Sequence, residues 1–421
     1  MSVGPIIIFD KSTLQSLSVD ESCWLDNFFL SNITPLFFVE TLADLEKKGY
    51  SNLTPQQVVG ELAKKTPIGA YPNIHYHSLV VHDLLGNKVK MSNRPIIGGG
   101  VTKISPEGKV GVHFKQFPET EALQRWQKNE FLKIEHNFAR QWRQSLSNLN
   151  FELMIGFIKN IVPSAIKFKD LKGIKEFIDQ FVTGNDKELL IFAFEVLGIP
   201  ENARNIILSR WSKEKNPSLN KFAPYATYVL KVDLLFYLGL VSSFISRERP
   251  SNKIDLAYLY YLPFCMVFVS NDRLHKRTAP LFMELGQTFI NGQDLKLDLG
   301  KLDKHYSELP EEVKLQGIMR FATYPPEEIN TVIHKLWDKY LPVWRKHSQQ
   351  KKTKTDFPKD SDKDLVEHLN KIEEKSVPVS TKEQITADEA DHVIFQRIMP
   401  VKKGKWRLVP PEVEEAIKTK K

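Results

Sequence analysis

The stretch Asp255–Asp272, DLAYLYYLPFCMVFVSND, decides how the rest of the chain is read. Asp255 caps or opens a short helix whose Leu256, Leu259 and Tyr260 share one face. Pro263 is expected to end it, because proline disfavours helical geometry in the residue before it. Met266–Val269 are four consecutive apolar residues, the pattern of a parallel strand covered on both sides. Ser270, Asn271 and Asp272 close the run with polar groups. The acids at its two ends are candidates for one site, so the question is whether other carboxylates reach the same sheet edge.

Two more do on the sequence reading. Pro5–Phe9 (PIIIF) is a compact strand that runs into Asp10, followed by a helix carrying Trp24, Leu25, Phe28 and Phe29. Ile33–Val39 is a second apolar run, read as a strand ending at Glu40. Thr41–Lys48 is then a helix that places Asp44 on the face of Glu40. Strand, acid and helix repeated in this way predict an α/β fold with a parallel sheet flanked by helices. Ligands of such sheets gather outside the carboxyl ends of the strands, where Asp10, Glu40 and Asp272 fall and Asp255 arrives on a helix. Two carboxylates about 4 Å apart repel by roughly 4 kcal/mol at an effective dielectric near 20. Such a group takes up protons or holds cations, and oxygen donors suit Mg²⁺ or Mn²⁺.

The ordered set Asp10 with Ser12, Glu40, Asp255 and the VSND that ends in Asp272 resembles a PIN domain. The resemblance covers roughly residues 1–50 and 225–305, with Gln287–Leu299 matching the closing strand. It implies a PIN-like fold and a metal-dependent nuclease, in which Asp10, Glu40, Asp255 and Asp272 hold Mg²⁺ or Mn²⁺ and catalyse phosphodiester hydrolysis. RNA is favoured as the nucleic-acid partner on the resemblance alone, which makes an endoribonuclease the leading expectation. Ser12, Asn271, Arg273, His275 and Lys276 are the candidate substrate contacts. Arg277, Arg247 and Arg249 lie near them in sequence and could extend a phosphate track, or simply form a solvated surface.

The remaining chain divides by texture. Residues 51–118 are punctuated by Pro and Gly and lean toward β, with hairpins expected at Gly86-Asn87 and at Pro106-Glu107-Gly108. Residues 119–224 turn to helical periodicity, so the PIN-like unit carries a β-rich and then a helical insertion. Residues 306–346 read as a helical extension, with Trp337, Tyr340 and Trp344 as a core stripe. Residues 347–384 are a polar linker, and 385–421 form a small basic C-terminal element. Its Lys402-Lys403-Gly404-Lys405-Trp406-Arg407 turn is either a hairpin surface or a nucleic-acid contact. His75, His77 and His82 invite a metal reading, but strand histidines in a partly exposed hairpin are the simpler one. Gly98-Gly99-Gly100 lacks the helix and Lys-Ser or Lys-Thr pair of a phosphate loop, and reads as a turn.

Composition bounds these expectations. The 421 residues allow two or three domains, and 42% hydrophobic content supports packed cores. The net charge of +8 favours polyanion partners without establishing one. Residues 401–421 hold seven Lys or Arg against three Glu, a local net of +4. Two cysteines, Cys23 and Cys265, argue against a disulfide scaffold or Cys-based zinc site and fit a reducing compartment. The N-terminus lacks signal-peptide character. The apolar stretch Tyr228–Ser246 carries Lys231 and Asp233, so a buried helix is expected instead of a membrane span, and the location expected is cytoplasmic. A protein partner through the insertion or C-terminal tail and a homo-oligomer stay open. Two alternative functions are carried beside the nuclease: a catalytically inactive nucleic-acid- or protein-binding scaffold, and a phosphohydrolase acting on small nucleotides.

Overall fold

The computed structural model describes residues 4–47, 52–67, 71–161, 167–353, 371–372, 374–380, 385–395 and 400–418. Its centre is a four-stranded sheet in the order β2-β1-β5-β6, with β1 at Ile6–Phe9, β2 at Leu30–Ser31, β5 at Val267–Ser270 and β6 at Thr288–Asn291. Every pairing in it is parallel. Register places Ile7, Ile8 and Phe9 opposite Val267, Phe268 and Val269. The fold is therefore mixed α/β, as the strand-acid-helix alternation predicted.

The alternation of side chains across these strands builds two cores. Ile6, Ile8 and Phe268 join one apolar cluster. Ile7, Phe9, Val267, Val269 and Ile290 join the other, as a period of two requires. On the first face the hub is the helix Pro224–Val241, which packs against the helices Tyr76–Leu84, Glu152–Ile161, Leu171–Phe181 and Lys187–Leu197. This helix is long and apolar enough to cross a membrane, yet 78% of that apolar window is buried inside the protein. On the second face lie the helices Val19–Phe28, Gly292–Ser307 and Val332–Tyr340, together with Trp344 and Trp406. Trp337 and Trp344 are buried there, so the aromatic stripe is core.

A second sheet, in the order β7-β3-β4-β8, joins strands far apart in sequence: β3 at Gly100–Ile104, β4 at Val110–Phe114, β7 at Val377–Pro378 and β8 at His392–Phe395. The hairpin β3–β4 turns where Pro106-Glu107-Gly108 was expected to turn it, with Gly108 at φ +78°. The C-terminal basic turn is also a hairpin, of β9 at Lys402–Lys403 and β10 at Trp406–Arg407, with Gly404 at φ +61°. Trp406 and Lys403 are buried, the latter on Asp26, which removes both from a nucleic-acid contact.

Several expectations are corrected. Ile33–Val39 is not a strand: the helix Pro35–Ala43 begins there, because the Thr34 side chain accepts from the Phe37 N–H and Pro35 takes the first helical position. The strand is the shorter β2, just before it. Residues 51–118 are not mainly β. Thr54 and Gln57 form a capping box that opens the helix Pro55–Lys65, and Tyr76–Leu84 is helical, so Gly86 follows a helix instead of turning a hairpin. Pro263 does not end its helix at the preceding residue. The helix Asn252–Ala257 tightens into the 3₁₀ turn Tyr258–Phe264, which contains it. Gln287–Leu299 is strand only over β6, and Gly292 starts a helix. Pro326–Lys346 is helical over Val332–Tyr340, with Trp344 opening the next helix, Trp344–Thr353. Most of the 347–384 linker and the very C-terminus lie outside the described residues, as does Lys48.

Candidate active site

Strand β1 leads to β2 on one side of the sheet and β5 leads to β6 on the other, so the chain changes direction between β1 and β5. A crevice forms outside the carboxyl ends of strands at such a point. Asp10 follows β1 and Asp272 follows β5. Both are helix N-caps. Asp10 Oδ1 accepts from the Thr13 N–H at 2.8 Å and the Thr13 hydroxyl at 2.6 Å, while Asp272 Oδ1 accepts from the Leu274 N–H at 2.6 Å. The capping role and the site role thus coincide at these two acids.

Asp10 is buried, and Ser12 and Ser270 both donate to its Oδ2, at 2.8 and 2.7 Å. Ser270 Oγ is also 2.7 Å from His275 Nδ1 and accepts from the Asp272 N–H at 2.9 Å. A hydroxyl has a single proton. With that proton on Asp10, His275 Nδ1 must donate to Ser270. His275 Nε2 meets the Asp255 carbonyl oxygen, an acceptor, so it donates as well. Both ring nitrogens donating means an imidazolium, and its Nδ1 lies 3.7 Å from Asp10 Oδ2. The ionisation follows suit. Burial alone would raise the Asp10 carboxyl, but the His275 charge and the hydroxyl donors hold it below the ordinary value. Burial alone would lower His275, but Asp10 and the Asp255 carbonyl raise it.

His275 is 1% exposed. This corrects its assignment as a substrate contact: it lies under the site and ties the end of β5 to the Asp255 helix. Ser12 likewise spends its hydroxyl on Asp10. Arg273 and Lys276 are exposed on the helix Arg273–Thr278, as are Arg277, Arg247 and Arg249. Asn271 Oδ1 is buried with no hydrogen-bond partner among the described residues.

Glu40 was expected directly after a strand. It sits instead in the last turn of the helix Pro35–Ala43. The Tyr258 hydroxyl donates to its Oε2, and the Lys11 ammonium holds its backbone carbonyl at 3.1 Å while pairing with Asp44 at the same distance. Burial pushes the Glu40 carboxyl up, against the opposing pull of Lys11 and Tyr258. Asp44 is therefore a partner of Lys11.

Asp255 lies in the first turn of its helix, which starts at Asn252, three residues earlier than the sequence suggested. Burial, and then the charges of Asp272, Glu40 and Asp10 against a lowering contribution from His275, push its carboxyl up to about 7. Asp272, Glu40 and Asp10 thus all lie within electrostatic reach of Asp255. The four do not form a tight ligand set: among the described residues, no three His, Cys, Asp or Glu are grouped closely enough to hold a metal ion. Sequence reasoning missed Tyr258, Ser270 and Lys11, each within three residues of an acid it had selected.

The histidines of 51–118 do not gather. His75 caps the helix Tyr76–Leu84 through the His77 N–H, and His77 Nε2 contacts the Gly198 carbonyl oxygen. Cys23 and Cys265 are both free thiols and buried. In comparisons of the chain with known proteins, no family model, no curated protein and no solved structure matched.

Proposed function

We propose that the crevice between β1 and β5 is the active site of a PIN-like, Mg²⁺- or Mn²⁺-dependent nuclease, with RNA as the favoured substrate. The observation that carries the reading is geometric: Asp10 and Asp272 cap the helices that follow β1 and β5, and His275 bridges Asp10 to the Asp255 backbone, beside an Asp255 carboxyl raised to about 7 by burial and by Asp272, Glu40 and Asp10. A buried carboxyl held near neutrality beside other acids suits a site that works on a cation and a polyanion. The donor set fits by chemistry: Asp10, Glu40, Asp255 and Asp272 are hard oxygen donors, and Mg²⁺ commonly takes one or two carboxylates and keeps several waters. When bound, the cation would neutralise the acids and polarise the phosphodiester.

The residues of the chain supply the remaining roles. Asp10 is held in one orientation by Ser12, Thr13 and Ser270. Arg273 and Lys276, exposed beside Asp272, receive the phosphate backbone. As the oxygen of the attacking water bonds to phosphorus its proton passes to solvent, and a proton from solvent reaches the leaving oxygen as the P–O ester bond breaks. The buried free cysteines are consistent with a cytoplasmic setting.

The loose spacing of the four acids favours one second reading, a catalytically inactive nucleic-acid- or protein-binding scaffold with a PIN-like fold. Cleavage of labelled single-stranded RNA and DNA, with Mn²⁺ or with EDTA, separates the two. The nuclease reading predicts Mn²⁺-dependent cutting that is lost in both Asp10→Asn and Asp272→Asn. Absence of cutting, with nucleic-acid binding equal in wild type and variants, would favour the scaffold.

A further inference from the structure

Tyr258 is buried, at 1% exposure, and its hydroxyl donates to Glu40 Oε2. It lies three residues after Asp255, in the 3₁₀ turn that continues the Asp255 helix. Glu40 belongs to the first sixth of the chain, whereas Tyr258 follows the whole inserted segment, so this hydrogen bond, like that from Ser270 to Asp10, ties the two sequence halves of the crevice together. The Tyr258 ring also packs edge-on against His275, with centroids 5.9 Å apart and planes at 74°. His275 in turn contacts Ser270 and the Asp255 carbonyl. Tyr258 therefore touches Glu40 directly and, through one imidazole, the groups that fix Asp10 and Asp255.

A buried tyrosine hydroxyl needs an acceptor, and many find one in a backbone carbonyl. Its neighbours do so: Tyr225 donates to the Tyr260 carbonyl at 3.1 Å and Tyr228 to the Leu259 carbonyl at 2.7 Å. Tyr258 spends its proton on a site carboxylate instead. A phenol donates one proton, so it engages Oε2 and fixes the carboxylate plane without occupying both oxygens. Groups that orient a ligand from behind commonly change metal affinity or activity by about 10–100-fold when removed.

We infer that Tyr258 is a positioning residue that orients the Glu40 carboxylate for a divalent cation, an inference that rests on the cation-dependent reading of the site. Tyr258→Phe keeps the ring and its packing and deletes the donor. Mn²⁺ binding, read as the electron-paramagnetic-resonance signal of the free ion, is predicted to weaken about tenfold in this variant, with the fold retained by circular dichroism. Tyr260→Phe is the control, since Tyr260 is equally buried but donates to Asp233, and its Mn²⁺ affinity is predicted to match wild type. Equal affinity in Tyr258→Phe and wild type would overturn the inference and leave the cation site standing. So would an equal loss in Tyr260→Phe, which would mark a packing effect. A wild-type protein that binds no Mn²⁺ would overturn the cation-dependent reading itself, and the role of Tyr258 with it.

Discussion

The two faces of the parallel sheet are packed with different aromatic chemistry. On the first, tyrosines turn their hydroxyls inward: Tyr225, Tyr228, Tyr258 and Tyr260 bond the turn after Asp255 or the acids Glu40 and Asp233. On the second, tryptophans donate their N–H groups to residues of the surrounding helices. Trp24 and Trp406 share Asp303 Oδ1, Trp337 donates to the Phe28 carbonyl, and Trp344 to Asp338. The first face is polar where it meets the crevice; the second is stapled from outside. A buried aromatic with a satisfied polar tip stabilises either face. Only the tyrosine face, however, couples that stability to the orientation of site groups.

Breaking this comparison is straightforward. The largest effect is expected from Asp10→Asn, which keeps the shape of the cap and removes its charge: cleavage should fall about 1,000-fold, with the fold retained by circular dichroism. Asp303→Asn, on the tryptophan face, should leave cleavage within about twofold while lowering the urea midpoint, since it weakens charge-assisted bonds worth roughly 1.5–3 kcal/mol each. If Asp303→Asn also abolished cleavage, the faces would not be separable. Trp24→Ala should cost about 3 kcal/mol in chemical unfolding, because Trp24 is wholly buried and stacks on Tyr306 with centroids 4.4 Å apart. Its Mn²⁺ affinity should not change.

A smaller, pH-dependent effect sharpens the account of the crevice. The folded-state carboxyl of Asp255 sits near 7, above its ordinary value of 3.8. The folded state therefore holds a proton that the unfolded chain releases. The resulting stability is complete below about pH 4 and is lost as pH rises through about 7. Asp255→Asn carries no titrating carboxyl, so its urea midpoint should gain on that of wild type between pH 5 and pH 8. Parallel midpoints across that range would contradict the shift. The smallest effect is expected at His75 and His77, where alanine should leave Mn²⁺ affinity unchanged, since neither is part of the crevice.

How much of this was legible in the sequence depended on range. Asp10 was selected because it directly follows a run of apolar residues, and Asp272 because it closes the polar Ser270-Asn271-Asp272 that ends another, signals carried by a few adjacent positions. Glu40 was selected from a setting that the structure does not keep. Ile33–Val39 is apolar enough for a strand, and the Thr34-Pro35 start signal that makes it a helix was overlooked. The same oversight at Thr54-Pro55 turned a helix into part of a β-rich module. His275 was read as a surface contact because it stands among Arg273, Lys276 and Arg277. Its burial comes from Ser270, Asp10 and Asp255, and two of these are remote in sequence. The second sheet was beyond reach for the same reason, since β4 pairs with β8 some 280 positions later.

The central claim is that Asp10, Glu40, Asp255 and Asp272 act as one electrostatic group. Carboxyl ¹³C titration of Asp255, assigned by its loss in Asp255→Asn, tests that claim most directly when run on wild type and on Asp272→Asn. Asparagine keeps the side-chain oxygen that caps the following helix but removes the charge. The account predicts a midpoint near 7 in wild type and a lower one in Asp272→Asn. A midpoint in the ordinary carboxylate range, unmoved by the substitution, would contradict it.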